Sequence, residues 1–167
     1  GLSGQWPIAS PGSGIYFTTL EIGQDQDLNN DGDQTDYLLY RIENSTEGAT
    51  YLGYPGVAGD GVATDRGFLV RIWETFLGED INGDGDRGDR IAFLYDEVTR
   101  SGTDLGLWIE GYPQAEGGTY LMASRENDEQ RDLNGDGSLG DRVVHVLDLG
   151  QCARNGTVNQ GAGAVTD

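Results

Sequence analysis

The sequence predicts an all-β protein of three tandem β-meander repeats, each about 53 residues long with an aspartate-rich loop between two strands. Three observations predict this fold class. The loop aspartates Asp27, Asp80 and Asp132 follow one another at spacings of 53 and 52 residues. The segments beside each loop are short and rich in β-branched and aromatic residues, which is typical of strands. No segment shows a sustained period of 3.6 residues, so helices are not expected.

The repeats are expected at residues 1–50, 51–104 and 105–157, in one continuous domain or array. Residues 158–167 resemble the start of a fourth repeat, because "GAGAVTD" is similar to "GDGVATD". The segments "RIAFLY" and "RVVHVL" are largely apolar at both alternating sets of positions. Strands buried on both faces show this pattern. We therefore expect blade-like sheets that pack against one another.

The composition excludes several classes of function. The formal net charge is −19 and the pI about 4.1, which argues against binding to nucleic acid or to an anionic membrane. No apolar run approaches 18 residues, so no membrane insertion is expected. A single cysteine, Cys152, excludes an internal disulfide framework. The first residue is Gly1, and we expect a processed form or a part of a longer protein.

Numbered from its first aspartate, each loop has oxygen-bearing side chains at positions 1, 3, 5 and 7 and a glycine at position 6. Alternate oxygen ligands around a sharp glycine turn are typical of calcium loops. The predicted ligands at these four positions are Asp27, Asn29, Asp31 and Asp33, then Asp80, Asn82, Asp84 and Asp86, then Asp132, Asn134, Asp136 and Ser138. The glycines are Gly32, Gly85 and Gly137.

Further ligands are expected at position 10 of each loop, in Asp36, Asp89 and Asp141. Position 12, where an EF-hand has its bidentate glutamate, is apolar in all three loops, so these are not EF-hands. A glutamate also stands six residues before each loop, at Glu21, Glu74 and Glu126. Two alternatives are open for these glutamates: ligands that reach the ion from the upstream strand, or simple surface charge.

The ligand chemistry favours calcium over other metals. Carboxylates at about 4 Å repel one another by several kcal/mol near a protein surface, so such a cluster needs a cation or protons. Transition metals prefer imidazole or thiolate, and the chain has only His145 and Cys152 to offer. We therefore expect about three structural Ca²⁺ ions.

The segments "DINGDGDRGDRIAFLYD" and "DLNGDGSLGDRVVHVLD" resemble the aspartate-rich repeats of large secreted microbial proteins. They are also similar to the FG-GAP/VCBS calcium repeats of β-propellers, in which a "DxNGDGxxD" loop joins two strands of one blade. The last loop aspartate falls one residue later here than in that pattern. The resemblance implies a calcium site between two strands of a blade-like sheet. Three repeats are fewer than an ordinary propeller has, and its blades usually number four to eight.

No catalytic constellation is visible, and we expect no enzyme. His145 alternates with apolar residues on one strand, which predicts a packed histidine rather than a general base. Cys152 has no histidine near it in sequence and is interpreted as a spare or interface thiol. A calcium-dependent hydrolase that uses paired acids is a minor alternative, since nothing separates a catalytic pair from metal ligands.

Aromatic residues suggest a second class of function. Trp6, Trp108, Tyr54 and Tyr112 lie in glycine-rich linking segments, where exposed rings can bind sugars. The alternative is that these rings cover the core between sheets, because large aromatic side chains bury much apolar area. The sequence favours the packing interpretation.

We expect a secreted or surface-displayed, calcium-stabilised structural protein. Unpaired strand edges at the ends of a short array predict self-association into an extracellular filament or matrix, head to tail. The N-terminal "GLSGQWPIASPGSG" is a candidate for strand complementation. A carbohydrate-binding or adhesion module that contacts glycans or other surface proteins, and a fragment of a larger calcium-binding propeller, are the alternatives. Asn44 and Asn155 begin sequons that would accept N-glycans in a secretory setting.

Overall fold

A computed structural model describes residues 6–9, 14–43, 48–64, 66–148 and 161–164 of the 167-residue chain. The described part is an all-β fold of three antiparallel four-stranded sheets, as the strand patterns predict. Three residues of the sequence predictions, Asn44, Cys152 and Asn155, lie outside the described residues. No helix in these ranges is long and apolar enough to cross a membrane.

Each sheet is formed by four strands that follow one another in sequence. The first sheet has the order β1-β2-β3-β4, with β1 Trp6–Ala9, β2 Ile15–Leu20, β3 Tyr37–Ile42 and β4 Thr50–Pro55. The second sheet has the order β5-β6-β7-β8, with β5 Val57–Ala63, β6 Gly67–Trp73, β7 Arg90–Asp96 and β8 Ser101–Trp108. The third sheet has the order β12-β11-β10-β9, with β9 Gln114–Glu116, β10 Thr119–Arg125, β11 Arg142–Asp148 and β12 Gly161–Ala164.

Strands β4 and β8 cross the borders of the predicted repeats, and β12 lies beyond the border of the third. Strand β4 begins at Thr50 and belongs to the first sheet, and β12 pairs with β11 at the edge of the third. Strand β1, within the segment considered for strand complementation, pairs with β2 of the same chain.

The middle hairpin of each sheet is the longest-paired part of the fold. In the second sheet, β6 and β7 pair without a break from Gly67 opposite Asp96 to Trp73 opposite Arg90. A single helical turn follows the first strand of each middle hairpin. These turns are the 3₁₀ turn Glu21–Gly23, helix α1 Glu74–Leu77 and helix α2 Glu126–Glu129. The sequence did not predict them, because one turn is too short to show a helical period.

The second sheet is packed between the other two. We call its face with Phe68, Val70 and Phe93 the front face, and its face with Leu69 and Leu94 the back face. The front face packs against Tyr16 and Leu39 of the first sheet in one core cluster. The back face packs against Tyr120, Met122 and Leu147 of the third sheet in another. Because successive side chains point to opposite faces of a strand, β6 and β7 each contribute residues to both core clusters.

The prediction of strands buried on both faces is confirmed for β7 and wrong for β11. All five residues from Ile91 to Tyr95 are buried, because β7 lies between two other sheets. In β11 only alternate residues, Val143, His145 and Leu147, are buried, while Val146 is 42% exposed. Among the described residues the third sheet has a neighbouring sheet on one face only, so an apolar sequence at both sets of positions does not ensure burial of both.

Polar contacts join the sheets around these cores. Arg41 of the first sheet donates to Glu97, which follows β7, at 2.8 Å. Between the second and third sheets, Thr64 and Tyr120 share a hydrogen bond of 3.0 Å between their hydroxyls. The hydroxyl of Ser124 donates to the carbonyl of Trp108 at 2.5 Å. Because these groups are buried or partly buried, the contacts restrict how the sheets can slide past one another.

Gly67 is required by close backbone packing at the start of β6. A Cβ atom at this position would lie 2.0 Å from the carbonyl oxygen of Tyr95. We expect Gly67→Ala to lower the free energy of unfolding by about 2 kcal/mol or more, since backbone must shift to accept the methyl group. Gly48→Ala is the matched control, because its Cβ would have no atom within 4 Å. Urea unfolding measures both, and equal midpoints for the two variants would contradict the prediction.

Candidate metal centres

The three acidic loops connect the central strands of the three sheets: β2 to β3, β6 to β7 and β10 to β11. Each loop is held by the same hydrogen bonds. The first aspartate accepts from two backbone N–H groups of its own loop, at positions 4 and 6. In the second loop Asp80 accepts from Gly83 at 2.7 Å and from Gly85 at 3.0 Å. Asp27 and Asp132 make the equivalent pairs of bonds.

The next ligand candidates form a chain of short side-chain turns. Asn82 Oδ1 accepts from the N–H of Asp84, Asp84 Oδ1 from Asp86, and Asp86 Oδ1 from Gly88, at 2.7–3.2 Å. An Asx turn of this kind lets a short side chain fold the backbone two residues ahead. The other loops repeat the pattern, with the Ser138 hydroxyl accepting from Gly140 in the third.

The glycine at position 6 has a backbone conformation that other residues rarely adopt. Its φ is +107° at Gly32, +104° at Gly85 and +87° at Gly137. Glycine has no Cβ and takes positive φ without a steric penalty. The invariance of this position within the chain therefore follows from the turn itself.

The glutamate before each loop is a buried anchor for the loop backbone. Glu21, Glu74 and Glu126 are completely buried, so the surface-charge alternative is wrong. Each is the first residue of the helical turn rather than the end of the strand. Glu74 Oε1 accepts from Ile81 and Asn82 at 2.6 and 3.3 Å, and its Oε2 accepts from Asp89 at 3.3 Å. The other two glutamates accept from the equivalent three N–H groups.

Two groups of acidic side chains lie close enough to hold a metal ion. Glu21, Asp33 and Asp36 each offer an oxygen, and these oxygens lie within 4.8 Å of one another. Glu74, Asp86 and Asp89 form the equivalent triad in the second loop. The structure thus brings together the glutamate and positions 7 and 10. The remaining candidates at positions 1, 3 and 5 lie outside these triads, and their side chains bind loop N–H groups.

The third loop differs from the other two in its chemistry. Ser138 stands at position 7 in place of the aspartate of the other loops, so Glu126 and Asp141 are not joined by a third carboxylate from this position. Asn134 Nδ2 donates to Asp141 Oδ2 at 3.3 Å, as Asn82 donates to Asp89 at 3.0 Å. The backbone of the third loop is held by the same hydrogen bonds as in the other two loops. The third loop carries one fewer negative charge than they do.

Asp36 has a buried carboxylate oxygen without a protein partner. The residue is 2% exposed, and Asn29 Nδ2 donates to its Oδ2 at 3.1 Å. Its Oδ1 is buried and has no hydrogen-bond partner. A buried oxygen without a hydrogen-bond partner raises the free energy of the folded state, and a charged oxygen raises it more than a neutral one. This oxygen lies within a triad of acids, where only a cation or a proton would stabilise it.

The pKa values of the position-10 aspartates reflect this environment. Burial, together with the contact to Asp31, raises the pKa of Asp36 to about 7. Burial and the neighbouring Asp84 also raise the pKa of Asp89 to about 6, although the hydrogen bond from Asn82 opposes the shift. Both carboxyl groups therefore hold a proton at mildly acidic pH in the absence of a cation, and both lose it as the pH rises above these values.

These shifts predict how the ion-free chain responds to pH. Folding raises the pKa of Asp36 from 3.8 to about 7. Between these pH values the folded chain therefore binds more protons at this group than the unfolded chain does. This contribution to stability is present at low pH and is lost as pH rises through 7. In EGTA we expect a higher Tm at pH about 5.5 than at pH about 8. Burial lowers the pKa of His145 and works in the opposite direction.

Asp36→Asn tests the origin of this pH effect, because it removes the titrating group with little change in shape. Thermal unfolding in EGTA should show a smaller Tm difference between the two pH values for this variant than for the wild type. Asp104→Asn is the control, since Asp104 is exposed on β8 outside the loops. An unchanged pH dependence in Asp36→Asn would contradict the assignment.

The sequence did not identify Glu129 of α2. This residue is 4% exposed, and its carboxylate accepts from the N–H of Trp108 and lies 3.3 Å from Arg131. Burial raises its pKa to about 7, and Asp89 and Asp84 of the second loop add to the shift. The sequence did mark this position, because Glu129 is acidic where the equivalent positions of the other two units hold the uncharged residues Leu77 and Gln24.

The structure also places His145 and three of the aromatic candidates. His145 is buried on β11 with its Nε2 unpaired among the described residues. The ring of Tyr54 packs against Phe93 and its hydroxyl accepts from the N–H of Gly102. Trp108 is partly buried beside the first core cluster. Tyr112 is 70% exposed, with Arg71 over its ring at 5.0 Å.

The chain matches no protein-family model, no curated protein and no solved structure with which it was compared. The similarity of its loops to calcium-binding repeats therefore stays a prediction from the loop residues.

Proposed function

We propose that this chain is a structural β-protein whose three acidic loops bind Ca²⁺ and that it depends on these ions for stability. The observation that carries the proposal is the unpaired, buried Oδ1 of Asp36 within a triad of acids. The equivalent triad around Asp89 supports a second site. The third site rests on Glu126, Asp141 and the Ser138 hydroxyl and would have the lowest charge.

The oxygen-only ligand set is the reason to propose calcium. Calcium accepts six to eight oxygen ligands in flexible geometry, and backbone carbonyls and water fill positions that side chains leave open. Magnesium demands a near-ideal octahedron and gives up its water reluctantly. A loop in which carboxylates also accept backbone hydrogen bonds is better suited to the more tolerant ion.

An ion in each loop would join the two central strands of a sheet to the loop between them. Glu74 holds the loop backbone from the end of β6, and Asp89 lies just before β7. A cation between their carboxylates would remove the repulsion that otherwise opposes this arrangement. Binding free energy then adds to folding free energy.

The site chemistry also supports an extracellular location and a repeat organisation as proposals. Weak calcium loops fill at the millimolar calcium of extracellular fluids and stay empty at cytosolic concentrations. Each repeat of about 53 residues would supply one loop and most of one sheet, because β4, β8 and β12 cross or lie beyond the borders of the predicted repeats. Self-association into a filament or matrix is proposed as the role of such a rigid, acidic module.

A calcium-binding measurement tests the proposal. Equilibrium dialysis followed by elemental analysis should find about three Ca²⁺ per wild-type chain and about one fewer in Asp36→Asn, because the carboxylate oxygen is lost. Asp104→Asn should bind as much as the wild type. A wild-type chain without bound calcium at millimolar concentration would refute the proposal.

Carbohydrate binding is the second candidate function, and a single observation favours it. Tyr112 is an exposed aromatic ring of the kind that stacks on sugars, and Arg71 lies over it. Tyr54 and Trp108 pack against the first core cluster, so they are not exposed rings of the same kind. Titration with a glycan panel, with Tyr112→Ala as the comparison, distinguishes this candidate from a purely structural role.

A further inference from the structure

A cleft opens between the first and second sheets, beside the front face of the second. Its volume is about 570 Å³, which is within the range of small-molecule sites. The end of β4 forms one wall with Tyr54 and Pro55, and the second sheet forms the other with Phe93. The residues that line the cleft include none of the predicted calcium ligands. The cleft is therefore a different place from the candidate metal centres.

The inner part of the cleft is apolar and aromatic. The rings of Tyr54 and Phe93 lie with their centroids 4.9 Å apart and their planes at 58°. Ile72, Leu77 and Ile81 line the same cleft and pack with or against the first core cluster. Because these side chains are fixed by the core, a ligand would meet a surface that is already formed.

The exposed part of the cleft is acidic. Glu79, which follows α1, and Asp104, on β8, are both exposed lining residues. Within the described ranges neither carboxylate forms an ion pair with an arginine. None of the described residues that line the cleft is basic. A ligand there would meet two carboxylates without a cationic partner next to an apolar surface.

The equivalent cleft between the second and third sheets has a different chemistry. Its volume is about 460 Å³. Three of its lining residues stand 52 positions after lining residues of the first cleft: Arg131 after Glu79, Leu133 after Ile81 and His145 after Phe93. An arginine thus takes the place of an acid, and a histidine takes the place of an aromatic hydrocarbon ring. The fold builds the cleft in both places, so its ligand preference depends on these side chains.

We propose that the cleft between the first and second sheets binds a small organic cation that carries an ammonium group on an apolar frame. The frame would contact Tyr54 and Phe93, and the ammonium group would lie beside Glu79 and Asp104. Aromatic rings attract cations through their negative faces, and exposed carboxylates add a weaker attraction that salt screens. The net charge of −19 also concentrates cations at the surface and repels anions.

An NMR titration of the full chain with phenethylammonium tests the proposal. The chain is kept in millimolar calcium, so that the acidic loops compete less for the probe. We expect saturable shifts of the backbone amides of residues 102–104 and of Ile81, with a Kd on the order of 1–10 mM. The neutral analogue 2-phenylethanol should bind at least about fivefold more weakly. Salt at about 0.5 M should weaken binding of the cation and leave binding of the alcohol unchanged.

Two variants locate the site. The double variant Glu79→Gln/Asp104→Asn should bind phenethylammonium as weakly as the alcohol, and Thr103→Trp should block both probes because its ring would fill the exposed part of the cleft. Glu116→Gln is the control, since Glu116 is an exposed acid on β9 outside the cleft and should not affect binding.

Circular dichroism confirms that each variant is folded, and the double variant alone decides if Thr103→Trp does not fold. Absence of binding, equal Kd values for the two probes, or shifts centred on the acidic loops would overturn the proposal. Unchanged binding in the double variant would overturn it as well.

Discussion

Transfer from millimolar calcium to excess EGTA at neutral pH is expected to lower the Tm of this protein by roughly 15–30 °C. Three sites with a Kd of about 10⁻⁵ M, at about 10⁻³ M calcium, each add about 2.7 kcal/mol to the free energy of unfolding. For a domain of this size 1 kcal/mol shifts Tm by roughly 2–4 °C. The physical cause is repulsion between the carboxylates within the two acidic triads, which a bound cation relieves.

Differential scanning calorimetry in calcium, in EGTA and in magnesium measures this effect. Magnesium at the same concentration is the matched control for ionic screening, and we expect it to restore only a small part of the lost Tm. Equal Tm values in all three solutions, with no calcium in the purified protein, would contradict structural calcium. Restoration of Tm on readdition of calcium shows that the loss is reversible.

Glu74→Gln is expected to lower the free energy of unfolding by about 3 kcal/mol, both in calcium and in EGTA. The carboxylate of Glu74 is completely buried and accepts three backbone N–H groups of the second loop. An amide keeps the volume, but it replaces one acceptor oxygen by an NH₂ group that faces N–H donors. The loss in EGTA is the informative part, because a residue that acted only as a metal ligand would matter only when the ion is bound.

Urea unfolding of Glu74→Gln beside Glu79→Gln makes this comparison. Glu79 lies in the same loop segment but is exposed, so its substitution removes one charge without affecting the buried hydrogen bonds. We expect its midpoint to stay close to that of the wild type in both solutions. A Glu74→Gln variant as stable as the wild type in EGTA would show that the glutamate is not an anchor of the loop.

The local features of the candidate sites were predictable because they depend on residues close in sequence. An Asx turn needs an acceptor side chain and an N–H two residues later, and the spacing of Asp80, Asn82, Asp84 and Asp86 supplies both. Gly85 was identified as the sharp turn for the same reason, and its positive φ agrees. The recurrence of the loop at 53 and 52 residues also located the hairpins, since strands adjoin each loop.

The role of the glutamate before each loop was not predictable from spacing. A carboxylate six residues from an acidic loop is compatible with a ligand, a surface charge or an anchor. Burial separates these alternatives, and burial depends on how the helical turn folds back against the loop. Glu129 is a similar case, because its partner Trp108 belongs to another sheet.

The sequence by itself determined the all-β class, the three loops and the residues that offer oxygen to a cation, since each depends on short-range patterns of side chains. Only the tertiary structure decided which strand faces are covered. Strands β7 and β11 have similarly apolar sequences, yet β7 lies between two sheets and β11 has a neighbour on one face. Burial of a face requires a partner at about 10 Å, and no property of the strand itself specifies whether that partner is present.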